Sequence, residues 1–218
     1  MTRITRRKLI IGSTVTVGVA GLAGAAIVGP RISTWLTDSS VTSTEHEAEL
    51  NIPPLYEGEM QDGLRQFALT MKEGETEFVP EHVTPTWGVN QNYLGPTLRA
   101  ARGETVRIEV KNDLPEESVL HWHGMHLPAE MDGGPHQIIK PGESWLPVWN
   151  IDQPASTLWY HPHPHGKTAE HVWNGLAGLF IIDDDVEASL PSEYGVDDVP
   201  LVIQDRGFED NGEFDKTD

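Results

Sequence analysis

Two short stretches of the chain concentrate its metal-binding potential. His121-Trp122-His123-Gly124 carries histidines at alternate positions, and Trp159-Tyr160-His161-Pro162-His163-Pro164-His165-Gly166 carries three more with the same alternation. In an extended chain, residues two apart point to the same side and lie roughly 6.5 to 7 Å apart. Each stretch therefore lays its imidazoles along one face and turns residues such as Trp122 to the other. Such a pair can tilt onto one metal or serve two neighbouring metals. Pro162 and Pro164 withhold backbone donors and keep the second stretch extended. Alternating imidazoles in this number exceed what a hydrogen-bonded polar patch requires, and they read as a metal-binding set. Imidazole serves copper, zinc, iron or nickel, and spacing does not choose among them.

Two strand-borne metal patterns fit poorly. A metallo-hydrolase of the metallo-β-lactamase kind needs an aspartate two residues after the second histidine, where this chain has Met125 or His165. A cupin-type site needs a glutamate downstream of His-x-His. Glu170 offers one for His163 and His165, but the glycine that motif carries before its first histidine is missing. The chain contains no cysteine. That removes disulfides, thiolate zinc sites, cysteine nucleophiles and any copper site built on a cysteine sulfur.

The elements that must hold these histidines read as strands. From Arg65 the pattern has period two, with Phe67, Leu69 and Met71 on one face; Glu73-Gly74-Glu75 is expected to turn and residues 76–79 to return as a hairpin. Between Gly103 and Leu114, Val106, Ile108 and Val110 alternate with Thr105, Arg107 and Glu109. Pro141-Gly142 marks a turn before a strand over 144–151, while 157–160 and 178–182 are short apolar strands. Residues 168–176 have the pattern of one or two helical turns. Residues 200–206 read as a fresh strand, and Asn211-Gly212 is a hairpin signal. Many short strands punctuated by turns predict an all-β sandwich or barrel.

At 218 residues the chain has room for one ordinary domain plus a targeting or linker segment. Its 34 acidic residues against 15 lysines and arginines give a net charge of −19. A duplex nucleic-acid binder needs basic clusters against the phosphates, so that class is excluded. Arg3, Arg6, Arg7 and Lys8 precede an uncharged run from Leu9 to Val28, the pattern of an export signal. Thr5-Arg6-Arg7-Lys8-Leu9-Ile10 resembles the twin-arginine signal, whose pathway exports folded and often cofactor-loaded proteins. The same run is long enough to anchor the chain in a membrane. The expected organisation is a signal or anchor over 1–30, a polar tether over 31–52, the β domain over 53–185, and a linker with the first strand of a second domain over 186–218. On this reading the chain is a fragment, exported to the periplasm or cell surface.

The order of motifs resembles the first domain of a multicopper oxidase, a cupredoxin-like Greek-key β-barrel. Gly95-Pro96-Thr97-Leu98, Gly103-x-x-Val106, His121-Trp122-His123-Gly124, Asp132-Gly133-Gly134-Pro135, Pro141-Gly142 and Trp159-Tyr160-His161-Pro162-His163 carry the likeness. It is most similar to the bacterial periplasmic copper-efflux (cuprous) oxidases through His165-Gly166-Lys167-Thr168, residues 175–179 and residues 197–206. The resemblance implies that His121 binds a type 2 copper and that His123, His161 and His163 serve a type 3 pair. Together these ions form a trinuclear cluster that reduces dioxygen to water at the expense of cuprous ion or a phenolic donor. It implies further that Asp132 relays protons near the type 2 copper and that His165 orients neighbouring ligands. Trp122, Trp159 and Tyr160 read as packing residues, and His126, His136 and His171 as solvent-facing. The family's type 1 copper needs a cysteine that is absent here, and half of the cluster's histidines must come from missing C-terminal domains or a partner chain. A different reading keeps the chain as a stand-alone copper-binding or assembly module without oxidase activity. Relatives used in cell division lose the copper histidines, whereas all four are present here.

Overall fold

A computed structural model of the chain describes residues 50–186 and 190–215. The expected signal and nearly all of the tether lie outside the described residues. Among these the chain is β throughout, apart from one short helix and a 3-10 turn. The strands are β1 (Leu55–Tyr56), β2 (Glu59–Gln61), β3 (Leu64–Val79), β4 (His82–Val89), β5 (Thr97–Ala101), β6 (Thr105–Asn112) and β7 (Leu120–His123), followed by β8 (Ser144–Trp145), β9 (Val148–Asn150), β10 (Ser156–Pro162) and β11 (Gly178–Asp183). Helix α1 (Thr168–Asn174) connects β10 to β11.

One sheet has the order β1-β5-β11-β10-β7 and the other β2-β3-β6-β8, with β4 also on β3 and β9 also on β6. Alternation sends one face of each strand inward. On β6, Val106, Ile108 and Val110 are fully buried while Arg107 and Glu109 face solvent. Across the sandwich, Phe67 of β3 meets Phe180 of β11 with ring centroids 6.2 Å apart. The two inner faces thus share a single apolar core. Parallel pairings of β3 with β6 and of β5 with β11 tie the sheet interiors together.

Three sequence expectations require correction. The strand expected over 144–151 is broken at Leu146-Pro147 into β8 and β9, since proline has no N–H to give the ladder. Glu73-Gly74-Glu75 does not turn: β3 runs straight through it, and the reversal comes at Pro80 and Glu81, where Glu81 adopts φ 69°. Gly74 serves close approach instead, since a Cβ there would sit 2.5 Å from the Asn92 carbonyl oxygen. Residues 200–206 form no strand; Leu201 and Ile203 stay exposed, because no sheet edge among the described residues pairs with them. The Asn211-Gly212 signal does make a tight reversal, bridging Phe208 to Phe214. Phe214 is buried against Phe78 and Trp173, and the Arg206 guanidinium donates to the Val172 and Trp173 carbonyls at the end of α1. Among the described residues no helix is long and apolar enough to cross a membrane.

Candidate metal centre

β7 and β10 lie side by side and antiparallel, with His121 opposite His161, Trp122 opposite Tyr160 and His123 opposite Trp159. Residues opposed across a ladder share a face. Trp122 and Tyr160 therefore go into the core, at 1% and 0% exposure, and the Tyr160 hydroxyl donates to the Pro96 carbonyl at 2.8 Å. The other face carries His121, His123, Trp159 and His161. His163, just past the end of β10, completes the group. The His121 ring lies 5.6 Å from His123, 5.3 Å from His161 and 5.2 Å from His163, measured between centroids. Ligand-competent nitrogens of His121, His123 and His161 all fall within 4.8 Å of one another.

Hydrogen bonds fix which nitrogens face the group. His121 Nδ1 lies 2.9 Å from the Asp132 carbonyl and 3.2 Å from its carboxylate, so it donates and leaves Nε2 as a lone pair. His161 Nδ1 donates to the Pro162 carbonyl at 2.8 Å, leaving its Nε2 free to face His123 Nδ1. Burial, above all, lowers the His161 pKa to about 4, and the neighbouring imidazoles push the same way. Below that pH only does the ring charge, so at neutral pH it is a ready ligand. His163 Nδ1 is buried without a hydrogen-bond partner. Such an orphan carries a desolvation penalty that coordination would relieve. Convergent imidazoles with an unpartnered nitrogen among them fit a metal such as copper.

The loop that brings Asp132 to His121 depends on a glycine. Gly133 has φ +73°, and a Cβ on it would lie 1.8 Å from the Leu120 carbonyl oxygen. Only glycine lets this loop lie flat against the start of β7.

Other histidines divide sharply. His126, His136 and His165 are exposed, and His165 forms no hydrogen bond among the described residues. His171 corrects the expectation of a solvent-facing ring: it is fully buried on α1. Its Nε2 donates to Glu116 at 2.6 Å, its Nδ1 accepts from the Ser118 hydroxyl at 3.0 Å, and its ring meets Trp87 edge-on. It thereby braces α1, which follows His163, against the segment leading into β7. Glu170 is exposed, takes the Lys167 ammonium at 2.8 Å and is not in the convergent group of His121, His123 and His161. Trp159 also departs from the packing role expected of it, sitting on the histidine face 37% exposed. Its position two residues before His161 was the signal for that placement.

The chain is similar to known proteins in both sequence and fold. The multicopper oxidase family model matches residues 70–187. A multicopper oxidase of Staphylococcus aureus is 40% identical over 78% of this chain, which spans 38% of that protein's length. The cell division protein FtsP of Escherichia coli K12 is 34% identical over 96% of the chain, which covers 41% of it. The solved structure of a laccase-like multi-copper oxidase CueO from Ochrobactrum sp. superposes with a TM-score of 0.71 at 43% identity. The match covers 78% of this chain and 38% of that one. The two-sheet sandwich is therefore cupredoxin-like, and the chain belongs to the multicopper oxidase family.

Proposed function

We propose that this chain is the N-terminal copper-binding domain of an exported multicopper oxidase. The observation that carries the reading is the convergence of His121, His123 and His161 within 4.8 Å, with His163 beside them, on two strands whose other face is a closed core. In this reading His121 holds a type 2 copper and His123, His161 and His163 hold the type 3 pair. Copper bound there supplies the redox centre at which dioxygen is reduced to water by electrons from cuprous ion or a phenolic donor. The remaining ligands and the type 1 copper come from C-terminal domains or a partner chain, in keeping with the 38% of the staphylococcal relative that this chain spans. Residues 53–185 form the copper domain and 186–218 lead into a second domain, while residues 1–30 direct export by the twin-arginine route.

The chain's own contribution is orientation and proton handling. Asp132 holds His121 through its carbonyl and places a carboxylate 3.2 Å from the same ring nitrogen. That carboxylate, beside a ring that would hold copper, is the group this chain would offer for carrying protons to the site. The buried ladder of Trp122 and Tyr160 fixes the strands so that the imidazoles need not reorganise on binding. Titration of the 218-residue chain with copper, followed by oxygen-uptake assays with cuprous ion and a phenol, tests the reading. Copper is expected to be retained without turnover. Turnover in the absence of any other chain would overturn the division of labour, and no copper retention would overturn the site.

A further inference from the structure

Trp159 precedes His161 by two residues on β10 and stands opposite His123 on β7. Its indole is stacked on both rings: centroids are 4.0 Å apart with planes at 25° for His161, and 5.2 Å apart at 30° for His123. Yet it is 37% exposed, whereas Trp122 and Tyr160, its neighbours on the same strands, are buried completely. Core packing does not account for an indole held out in solvent against two imidazoles.

Rotation about the Cβ–Cγ bond of a histidine is broad and weakly held, so a ligand ring needs a second contact to stay aimed. His161 has one, from Nδ1 to the Pro162 carbonyl. His123 is exposed, and its hydrogen bond runs to His161 itself, an atom that a bound metal would claim. Its contacts with the His121 and His161 rings are edge-on or tilted, so the near-parallel face against His123 is the indole. Offset and near-parallel stacking are favoured geometries for such pairs. We propose that Trp159 is a positioning residue, a flat plate that sets the planes of His123 and His161 so that Nδ1 of one and Nε2 of the other address the same metal position. The proposal rests on the copper reading given above and concerns how that site is held.

Two variants separate the plate from mere bulk. Trp159→Phe keeps a stacking ring, and Trp159→Leu keeps apolar volume without one; thermal melting confirms that each is folded. In the metal-free chain, imidazole nitrogen NMR reports ring tautomers. Wild type and Trp159→Phe should show one fixed tautomer each for His123 and His161, and Trp159→Leu an exchange average at His123. With copper(II) added, calorimetry should give affinity for Trp159→Leu weaker by on the order of tenfold, the scale typical of lost outer contacts to ligands. Its copper EPR spectrum should shift, and Trp159→Phe should restore both. Unchanged tautomers, affinity and spectrum in Trp159→Leu would overturn the plate and leave the copper site standing. Absence of copper binding in wild type would overturn the copper reading, and the metal-free NMR would still decide the plate.

Discussion

His123 Nδ1 stands 3.1 Å from His161 Nε2 across two paired strands. Because the other nitrogen of His161 is spent on the Pro162 carbonyl, this one is a lone pair, and His123 donates to it in the metal-free protein. In the proposed site both of these nitrogens would turn to copper in place of the shared proton. His123→Ala and His161→Ala should each weaken copper binding by about tenfold or more. The double variant should fall short of the product of the two losses, since the residues serve one position. Calorimetric titration of the three proteins measures this directly.

Asp132 acts on His121 twice, through its carbonyl at 2.9 Å and its carboxylate at 3.2 Å. Asp132→Asn removes the base and spares the carbonyl. On the proposed function, copper content should stay close to wild type, while oxygen reduction by the full-length oxidase should slow by about 10²-fold, the lower range for loss of a general acid–base group. An oxygen electrode with metal analysis of the same samples gives both numbers. Equal loss of copper and activity would mean that the carboxylate holds the ring and moves no proton.

Gly133→Ala tests the loop beneath this contact. The new methyl group would meet the Leu120 carbonyl in a backbone conformation at φ +73° that alanine resists. Loss of more than about 2 kcal/mol of stability is expected from strain and displacement together. Urea denaturation should show it, with the His121 imidazole signal shifted as Asp132 withdraws. Gly142→Ala provides the control, since a Cβ at that positive-φ glycine meets nothing within 4 Å.

Acid should loosen the fold through two buried imidazoles. Burial lowers the pKa of His171 below the ordinary 6.5, against the opposing pull of Glu116 and Glu170 and with help from Lys167; His161 is lowered to about 4. As pH falls below 6.5, the unfolded chain takes up protons that the folded chain refuses. Stability present above pH 6.5 is therefore lost progressively toward pH 4. Each group contributes at most about 1.4 kcal/mol per pH unit. Urea midpoints measured from pH 7.5 to 4.5 should fall, and His171→Gln, which keeps a donor and an acceptor without titrating, should flatten part of the slope.

Much of this is legible in the amino-acid sequence. Alternation alone placed Val106, Ile108 and Val110 inward on β6, and the same rule put His121 and His123 on one face with Trp122 on the other. It failed at Gly74, because a glycine required for close approach to Asn92 looks in sequence like one required for a turn. It failed at residues 200–206, where β propensity is plain but a strand exists only beside a partner edge. His171 was hidden for a different reason. Its burial depends on Ser118 and Glu116, more than fifty positions away, and no local pattern announces such a brace. The contact of Asp132 with His121 runs partly through a backbone carbonyl, which every residue possesses and no motif can mark.

The antiparallel join of β7 to β10 has a kinetic meaning as well. His123 and His161 are separated by 38 residues, so the two rings meet only once that loop has closed. Before closure, the polypeptide offers only two separate short runs of alternating histidines, each a weak chelate. After it, four imidazoles appear at once. Copper capture would thus record the completion of folding rather than seed it, and metal uptake should lag behind the collapse of the surrounding core.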